Sequence, residues 1–214
     1  MIQGIIFDMD GTVIDSNHEI YDCWIRVLKD KFNKTVSKKE FGLRLGMSGD
    51  KFAKEIFDIL DINYDVDKIW QLIREDYMLN KSNIELKKGI VEVLELFSKK
   101  YKIAIATGAP LSIANHHLET LNIKHYFKTI IAGDMIEHGK PHPDIFLKAA
   151  TELNVKPTNC VVIEDALMGL IAARKANMKV VMVEDEFTKF QDHSKADFKI
   201  LSLLELPKII DSFN

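Results

Sequence analysis

The sequence predicts a doubly wound α/β fold, with a mainly parallel, Rossmann-like sheet and a helical bundle inserted after the first strand. Three observations carry this. Short β-branched runs recur between turn residues, helix-length amphipathic segments alternate with the later runs, and one long early stretch breaks the alternation.

The strands are predicted at residues 2–7, 102–106, 129–132, 160–163 and 180–183, whose length and β-branched content suit parallel strands buried on both faces. Helical spacing follows at Ile113, Leu118 and Leu121, at Ile145, Phe146, Ala149 and Leu153, and at Leu167, Leu170, Ile171 and Ala173. From about Ser16 to Leu86 no buried strand is expected. Instead, apolar faces form at Tyr21, Trp24, Ile25 and Leu28, at Phe52, Ile56, Phe57, Ile59 and Leu60, and at Ile69, Leu72, Ile73 and Tyr77. Trp24 and Trp70 fit these faces without a ligand. Gly89, ahead of the helix-like residues 90–97, marks the return to the α/β unit. The expected division is an α/β core of residues 1–15 and 87–214 and a helical unit of residues 16–86.

A chain of 214 residues has room for one sizeable core and a smaller second one. The net charge of -3, with both signs intermixed, gives no basic stripe, so a nucleic-acid partner is not expected. Cys23 and Cys160 stand outside any zinc spacing and fit a reducing compartment. The opening MIQGIIFDMD lacks a basic leader, and no apolar run reaches the roughly 18–20 residues of a membrane span. The expectation is a cytoplasmic protein with no membrane partner, monomeric by default.

In open α/β sheets ligands bind where the strands end and the following helices begin. The first predicted strand runs into Asp8, Met9, Asp10, Gly11 and Thr12, the second into Thr107 and Gly108, and the fourth into Glu164 and Asp165. Lys140 lies in the loop that opens the helix after the third. A phosphate monoester carries nearly two negative charges, so a carboxylate approaches it only if cations offset the repulsion. Mg²⁺ on hard oxygen ligands would do most of this. Lys140 would supply further positive charge, with Thr107 and backbone N–H groups near Gly108 holding other phosphate oxygens. Asp8 and Asp10, two apart in extended chain, face one side, and a turn at Gly11 brings both into one site. One can attack phosphorus while the other moves the proton.

These segments resemble the haloacid dehalogenase-like hydrolases. FDMDGT at residues 7–12 is similar to their DxDGT signature, ATG ending at Gly108 to their second motif, GKPHPD at 139–144 to the third, and VIEDALMG at 162–169 to the fourth. The resemblance implies Asp8 as nucleophile and Asp10 as acid/base and carbonyl ligand of Mg²⁺. It further implies Thr107 and Lys140 as phosphate holders, and Glu164 with Asp165 as the acidic pair on the metal, which Asp8 also binds. The helical insertion is similar to the mobile cap of the subfamily that contains phosphoglycolate phosphatase, sugar-phosphate phosphatases and β-phosphoglucomutase. Its hinges would lie near residues 15–17 and 86–89, with Lys88 where relatives often carry proline. The turn Gly46-Met47-Ser48-Gly49-Asp50-Lys51 matches the cap's specificity loop in position, which nominates Arg44 and Lys51, and more weakly Arg74, for substrate reading.

The implied activity is Mg²⁺-dependent hydrolysis of a small phosphate monoester through an aspartyl-phosphate. A β-phosphoglucomutase-like mutase is the alternative. Its cap-proximal histidine, which restrains the acid/base, falls at Ile20 here with His18 displaced by two, and Ala109-Pro110-Leu111 offers no side-chain donor to a second phosphate. Dehalogenation has no use for Asp10, and phosphonate cleavage needs a cap lysine that nothing singles out. A phosphate-accepting receiver places its aspartate after a middle strand and lacks an insertion; a catalytically silent binding protein of this fold would not need every motif position filled. His116 and His117 lack partners at ligand spacing and read as packing or surface, His142 is shaped by its flanking prolines, and Cys160 reads as a buried strand residue.

Overall fold

The computed structural model describes residues 1–47, 49–80 and 84–214. In chain order the first elements are β1 (Gly4–Phe7), the two-residue β2 (Ile14–Asp15), and helices α1 (Asn17–Phe32), α2 (Lys38–Gly42), α3 (Gly49–Leu60) and α4 (Val66–Asn80). Next come β3 (Glu85–Leu86), α5 (Ile90–Phe97), β4 (Lys102–Ala106), α6 (Leu111–Thr120), β5 (Thr129–Ile131) and α7 (Asp144–Leu153). The chain finishes with β6 (Cys160–Glu164), α8 (Leu167–Lys175), β7 (Lys179–Val183), β8 (Phe198–Ile200) and α9 (Leu206–Ser212).

Among the described residues six strands form one sheet in the order β5-β4-β1-β6-β7-β8, every neighbouring pair parallel. The period of two along each strand builds two separate cores. Ile5, Phe7, Ile103, Ile105, Val161 and Ile163 meet apolar residues of α5, α6 and α9 on one face. Ile6, Ala104, Ala106, Cys160 and Val162 meet α7 and α8 on the other. Because β1 is central and buried on both faces, whatever follows Phe7 is held at the middle of the sheet's carboxyl edge.

Helices α1 to α4 gather a third apolar cluster around Cys23, Trp24, Leu28, Phe41, Phe52, Ile56 and Ile69. The expected face on α3 is narrower than predicted, since Ile59 is exposed. Helix α2 was not foreseen; Ser37 and Glu40 form a reciprocal capping box that starts it. The chain leaves toward these helices along β2 and returns along β3, which pair antiparallel, Ile14 with Leu86 and Asp15 with Glu85. Gly89 follows, buried at φ +86, where a Cβ would lie 2.8 Å from Leu204. No helix among the described residues is long and apolar enough to cross a membrane.

Candidate active site

The Asp8 N–H donates to the Ile163 carbonyl at 2.9 Å, extending the β1–β6 ladder by one bond and fixing where the side chain projects. The chain then turns at Gly11, φ +77. A Cβ there would stand 2.3 Å from Asp165 Oδ2 and 2.4 Å from Asn17 Nδ2, so both the backbone conformation and the space require glycine.

Lys140 is 8% exposed and each of its ammonium hydrogens has an acceptor: Asp8 Oδ1 at 2.5 Å, Glu164 Oε1 at 2.7 Å and the Ala106 carbonyl at 3.3 Å. The remaining Glu164 oxygen accepts the N–H groups of Asp165 and Ala166 at 2.8 and 2.7 Å. Room for that carboxylate comes from Gly169, where a Cβ would fall 1.7 Å from Oε1. Burial works against the Lys140 charge, but Asp8 and Glu164 outweigh it and hold the ammonium above the usual lysine range.

Asp10 sits at the rim of this cluster. Ser16 Oγ donates to its Oδ1 at 2.6 Å, and Thr107 Oγ1 lies 3.4 Å from Oδ2 while accepting the Ala109 N–H at 3.0 Å. The backbone at Gly108 is exposed and faces open space.

Asp8, Glu164 and Asp165, all buried, bring carboxylate oxygens within 4.8 Å of one another. One ammonium cannot offset them all. Burial pushes Asp8 up to about 8; Lys140 opposes the shift, and Glu164 and Asp10 add to it. Asp165 is held well above the carboxylate range by burial, then by Glu164, Asp8 and Asp185, with Lys87 opposing. A set of hard oxygen donors whose ionisation is held back for want of positive charge fits a divalent cation.

A second layer escaped the sequence reading. Asn17 Nδ2 donates to Asp165 Oδ2 at 3.2 Å and to Asp185 Oδ1 at 3.1 Å, and Thr188 Oγ1 lies 3.3 Å from the same Asp165 oxygen. Lys87 Nζ, 2.6 Å from Asp185 and 3.2 Å from Asp15, closes the chain of contacts across both passages into the helical unit. Lys87 makes these pairs while its neighbour Lys88 is exposed. Asn17, Lys87 and Asp185 come from three distant segments, so only their position at the insertion boundaries could have hinted at them.

The contacts of the substrate-reading candidates Arg44 and Lys51 lie within the insertion, although the nominated turn itself comes against the core, where a Cβ on Gly46 would lie 2.7 Å from Ala166. Arg44 donates to the Glu40 carbonyl at 2.7 Å and pairs with Glu55 at 3.4 Å, both within the insertion. Lys51 lines a groove of about 620 Å³ formed by the starts of α3 and α4 and the residues before α4. Arg74 is exposed, and Ser48 of the nominated turn lies outside the described residues. The loop after β7 reaches across to the helices. Phe187 is fully buried against Tyr21 and Phe41, with ring centroids 5.4 and 6.3 Å away, and Gln191 donates to the carbonyls of Gly42 and Leu45 at 2.7 and 3.0 Å. Tyr77 of α4 and His117 of α6 share a hydrogen bond of 2.8 Å, which settles His117 as a packed, partnered histidine.

A family model described as haloacid dehalogenase-like hydrolase matches residues 5–183. The chain is 33% identical over 196 residues to a fructose-1-phosphate phosphatase of Escherichia coli, covering 84% of this chain and 95% of that protein. It is 29% identical over 181 residues to a phosphorylated carbohydrates phosphatase of Thermotoga maritima, covering 83% of each. Among solved structures it is similar to CbbY of Rhodobacter sphaeroides in complex with phosphate, TM-score 0.81 at 25% identity over 96% of both chains. It is also similar to a β-phosphoglucomutase of Clostridium difficile, TM-score 0.81 at 26% identity over 100% of this chain and 99% of that one.

Proposed function

The chain belongs to the haloacid dehalogenase-like hydrolases, and from that membership we propose that it is a Mg²⁺-dependent phosphatase of a small phosphate monoester, of the sugar-phosphate class. The observation that carries this reading is the buried meeting of Asp8, Lys140 and Glu164 at the carboxyl edge of the central strands.

Asp8, presented by the end of β1, attacks phosphorus in line with the leaving oxygen and becomes an aspartyl-phosphate. Lys140 and the Thr107 hydroxyl hold the phosphoryl oxygens as their charge rises. Asp10 protonates the leaving oxygen, then takes a proton from the water that opens the acyl-phosphate. Its Ser16 and Thr107 partners orient it for both steps. Asp8, the Asp10 carbonyl, Glu164 and Asp165 would hold Mg²⁺, which would supply the positive charge that lets two anions approach. Residues 16–86 act as a cap that excludes bulk water and reads the leaving group, with Arg44 and Lys51 as its basic candidates and the β2–β3 pair as its hinge.

Hydrolysis rather than mutase chemistry is supported by where the nearby histidine goes. His18 pairs with Glu186 at 3.0 Å and packs its ring against Phe187, while Ile20 packs into the apolar cluster of the insertion. Among the described residues the side-chain hydrogen bonds to Asp10 come from the hydroxyls of Ser16 and Thr107.

The test is phosphate release from a panel of sugar phosphates with and without Mg²⁺, using the native protein and Asp8→Asn. Metal-dependent release that the substitution abolishes is expected. Turnover surviving in the variant, or no release from any phosphate ester, would overturn the reading.

A further inference from the structure

A second group of potential metal ligands stands outside this cluster, on the loop that carries Lys140. His138, His142 and Asp144 place one ligand atom each within 4.8 Å of the others. The imidazoles of His138 and His142 lie face to face, ring centroids 4.8 Å apart and planes 26° from parallel. Asp144 Oδ2 is 3.1 Å from His138 Nδ1, and the Glu137 carboxylate is 3.9 Å from the other nitrogen of that ring.

The backbone accounts for the meeting. The His142 N–H donates to the Gly139 carbonyl at 3.0 Å, a turn that folds His142 back beside His138, and Asp144 follows as the first residue of α7. Both histidines are exposed and Asp144 half-buried, so their side chains can rotate while the backbone stays fixed. Ligand atoms around a tetrahedral zinc-class ion, at metal–nitrogen distances of about 2.0–2.1 Å, stand roughly 3.3 Å apart. Closing from at most 4.8 Å to that spacing asks for a shift of roughly 1.5 Å between the ends of exposed side chains. Two imidazoles and the carboxylates of Asp144 and Glu137 thus lie within reach of one point.

We infer that His138, His142 and Asp144 form a binding site for a borderline divalent transition ion of the Zn²⁺, Co²⁺ or Ni²⁺ class, distinct from the all-oxygen cluster at Asp8. Donor chemistry separates the two sites. Imidazole nitrogen favours late transition ions, whereas Mg²⁺ prefers oxygen and retains its waters. Water completes the coordination, and the ion closes the segment between the two histidines around Lys140. The inference is independent of the phosphatase reading, because it concerns binding and is read by binding.

The experiment titrates Co²⁺ into chelator-treated full-length protein containing millimolar Mg²⁺, following visible absorption and calorimetry, for the native protein, His138→Ala, His142→Ala and Asp165→Asn. The expected result is one Co²⁺ bound with nitrogen-ligand absorption in the native protein and in Asp165→Asn, weakened about tenfold or more in each histidine variant. His142→Ala sits between prolines, so His138→Ala with an unchanged melting temperature decides the matter if the former fails to fold. Co²⁺ affinity unchanged in His138→Ala, or binding lost only in Asp165→Asn, would overturn the inference.

Discussion

Asn17, the first residue of α1, donates its side-chain amide to Asp165 at 3.2 Å, tying the start of the helical insertion to a carboxylate of the candidate metal cluster. The same amide bonds Asp185, so Asn17 separates two buried acids that would otherwise repel. Removing it leaves Asp165 less firmly oriented. Asn17→Ala is expected to raise the Mg²⁺ concentration for half-maximal activity by about 10–100-fold, as measured by a metal titration at saturating substrate. An unchanged midpoint would show that Asp165 is oriented without it.

Gly169 sets two effects against each other. Glycine inside a helix costs about 1 kcal/mol relative to alanine, so helix propensity alone makes Gly169→Ala stabilising. The added methyl, however, would lie 1.7 Å from Glu164 Oε1 and displace the carboxylate that Lys140 needs. Overpacking of this kind typically costs about 1–3 kcal/mol. We expect a lower melting temperature together with reduced turnover; a rise in melting temperature would show that Glu164 relaxes freely.

The pH dependence follows from Asp8. In the unfolded chain an aspartate titrates near 3.8, whereas burial, opposed by Lys140, holds Asp8 to about 8 in the native protein. Between those values the native state retains a proton that the unfolded state has released. Stability of the metal-free protein therefore falls as pH rises through that window, by at most about 1.4 kcal/mol per pH unit for one proton. Asp165 is shifted in the same direction. Asp8→Asn should flatten the fall, and Mg²⁺ should raise the melting temperature of the native protein more near pH 8 than near pH 5. Thermal melts in chelator across this range check the sign, and parallel slopes for both proteins would contradict the assignment.

Phe187 offers a structural prediction. Its ring is fully buried among residues of α1 and α2 although it belongs to the loop after β7. Truncating a buried phenylalanine to alanine typically costs about 3–5 kcal/mol. Phe187→Ala should accelerate amide hydrogen exchange in α1 and α2 well beyond any change in β1 and β6. Uniform acceleration across the molecule would mean that the ring supports the whole fold rather than this junction.

What could be read directly from residue order divides by physical cause. Strands buried on both faces announce themselves as β-branched runs, which is why β1, β4, β6 and β7 were legible, and the edge strand β5 was legible because all three of its residues, Thr129, Ile130 and Ile131, are β-branched. Phe198–Ile200 was not, because an edge strand of three residues with Phe198 and Lys199 exposed carries neither a run nor an alternation long enough to register. The paired strands Ile14–Asp15 and Glu85–Leu86 are shorter still and exist only because the insertion's two ends meet. At the site, motif residues follow strand ends and could be located from periodicity, and Asp8, Glu164 and Lys140 do come together. Asn17, Lys87 and Asp185 meet only in three dimensions, and the stacked His138 and His142 depend on a turn that the prolines flanking His142 hinted at without specifying.

The reach of Phe187 into the helices has a consequence for anyone who would transplant them. Helices lifted from this chain onto another sheet would carry a hole where that ring stood, and the recipient would lack the carbonyl close to Gly42, 2.0 Å from where a Cβ there would be. Exchanging these helices between relatives therefore requires moving the segment around residues 184–191 along with them, so the unit of inheritance is two pieces of chain rather than one.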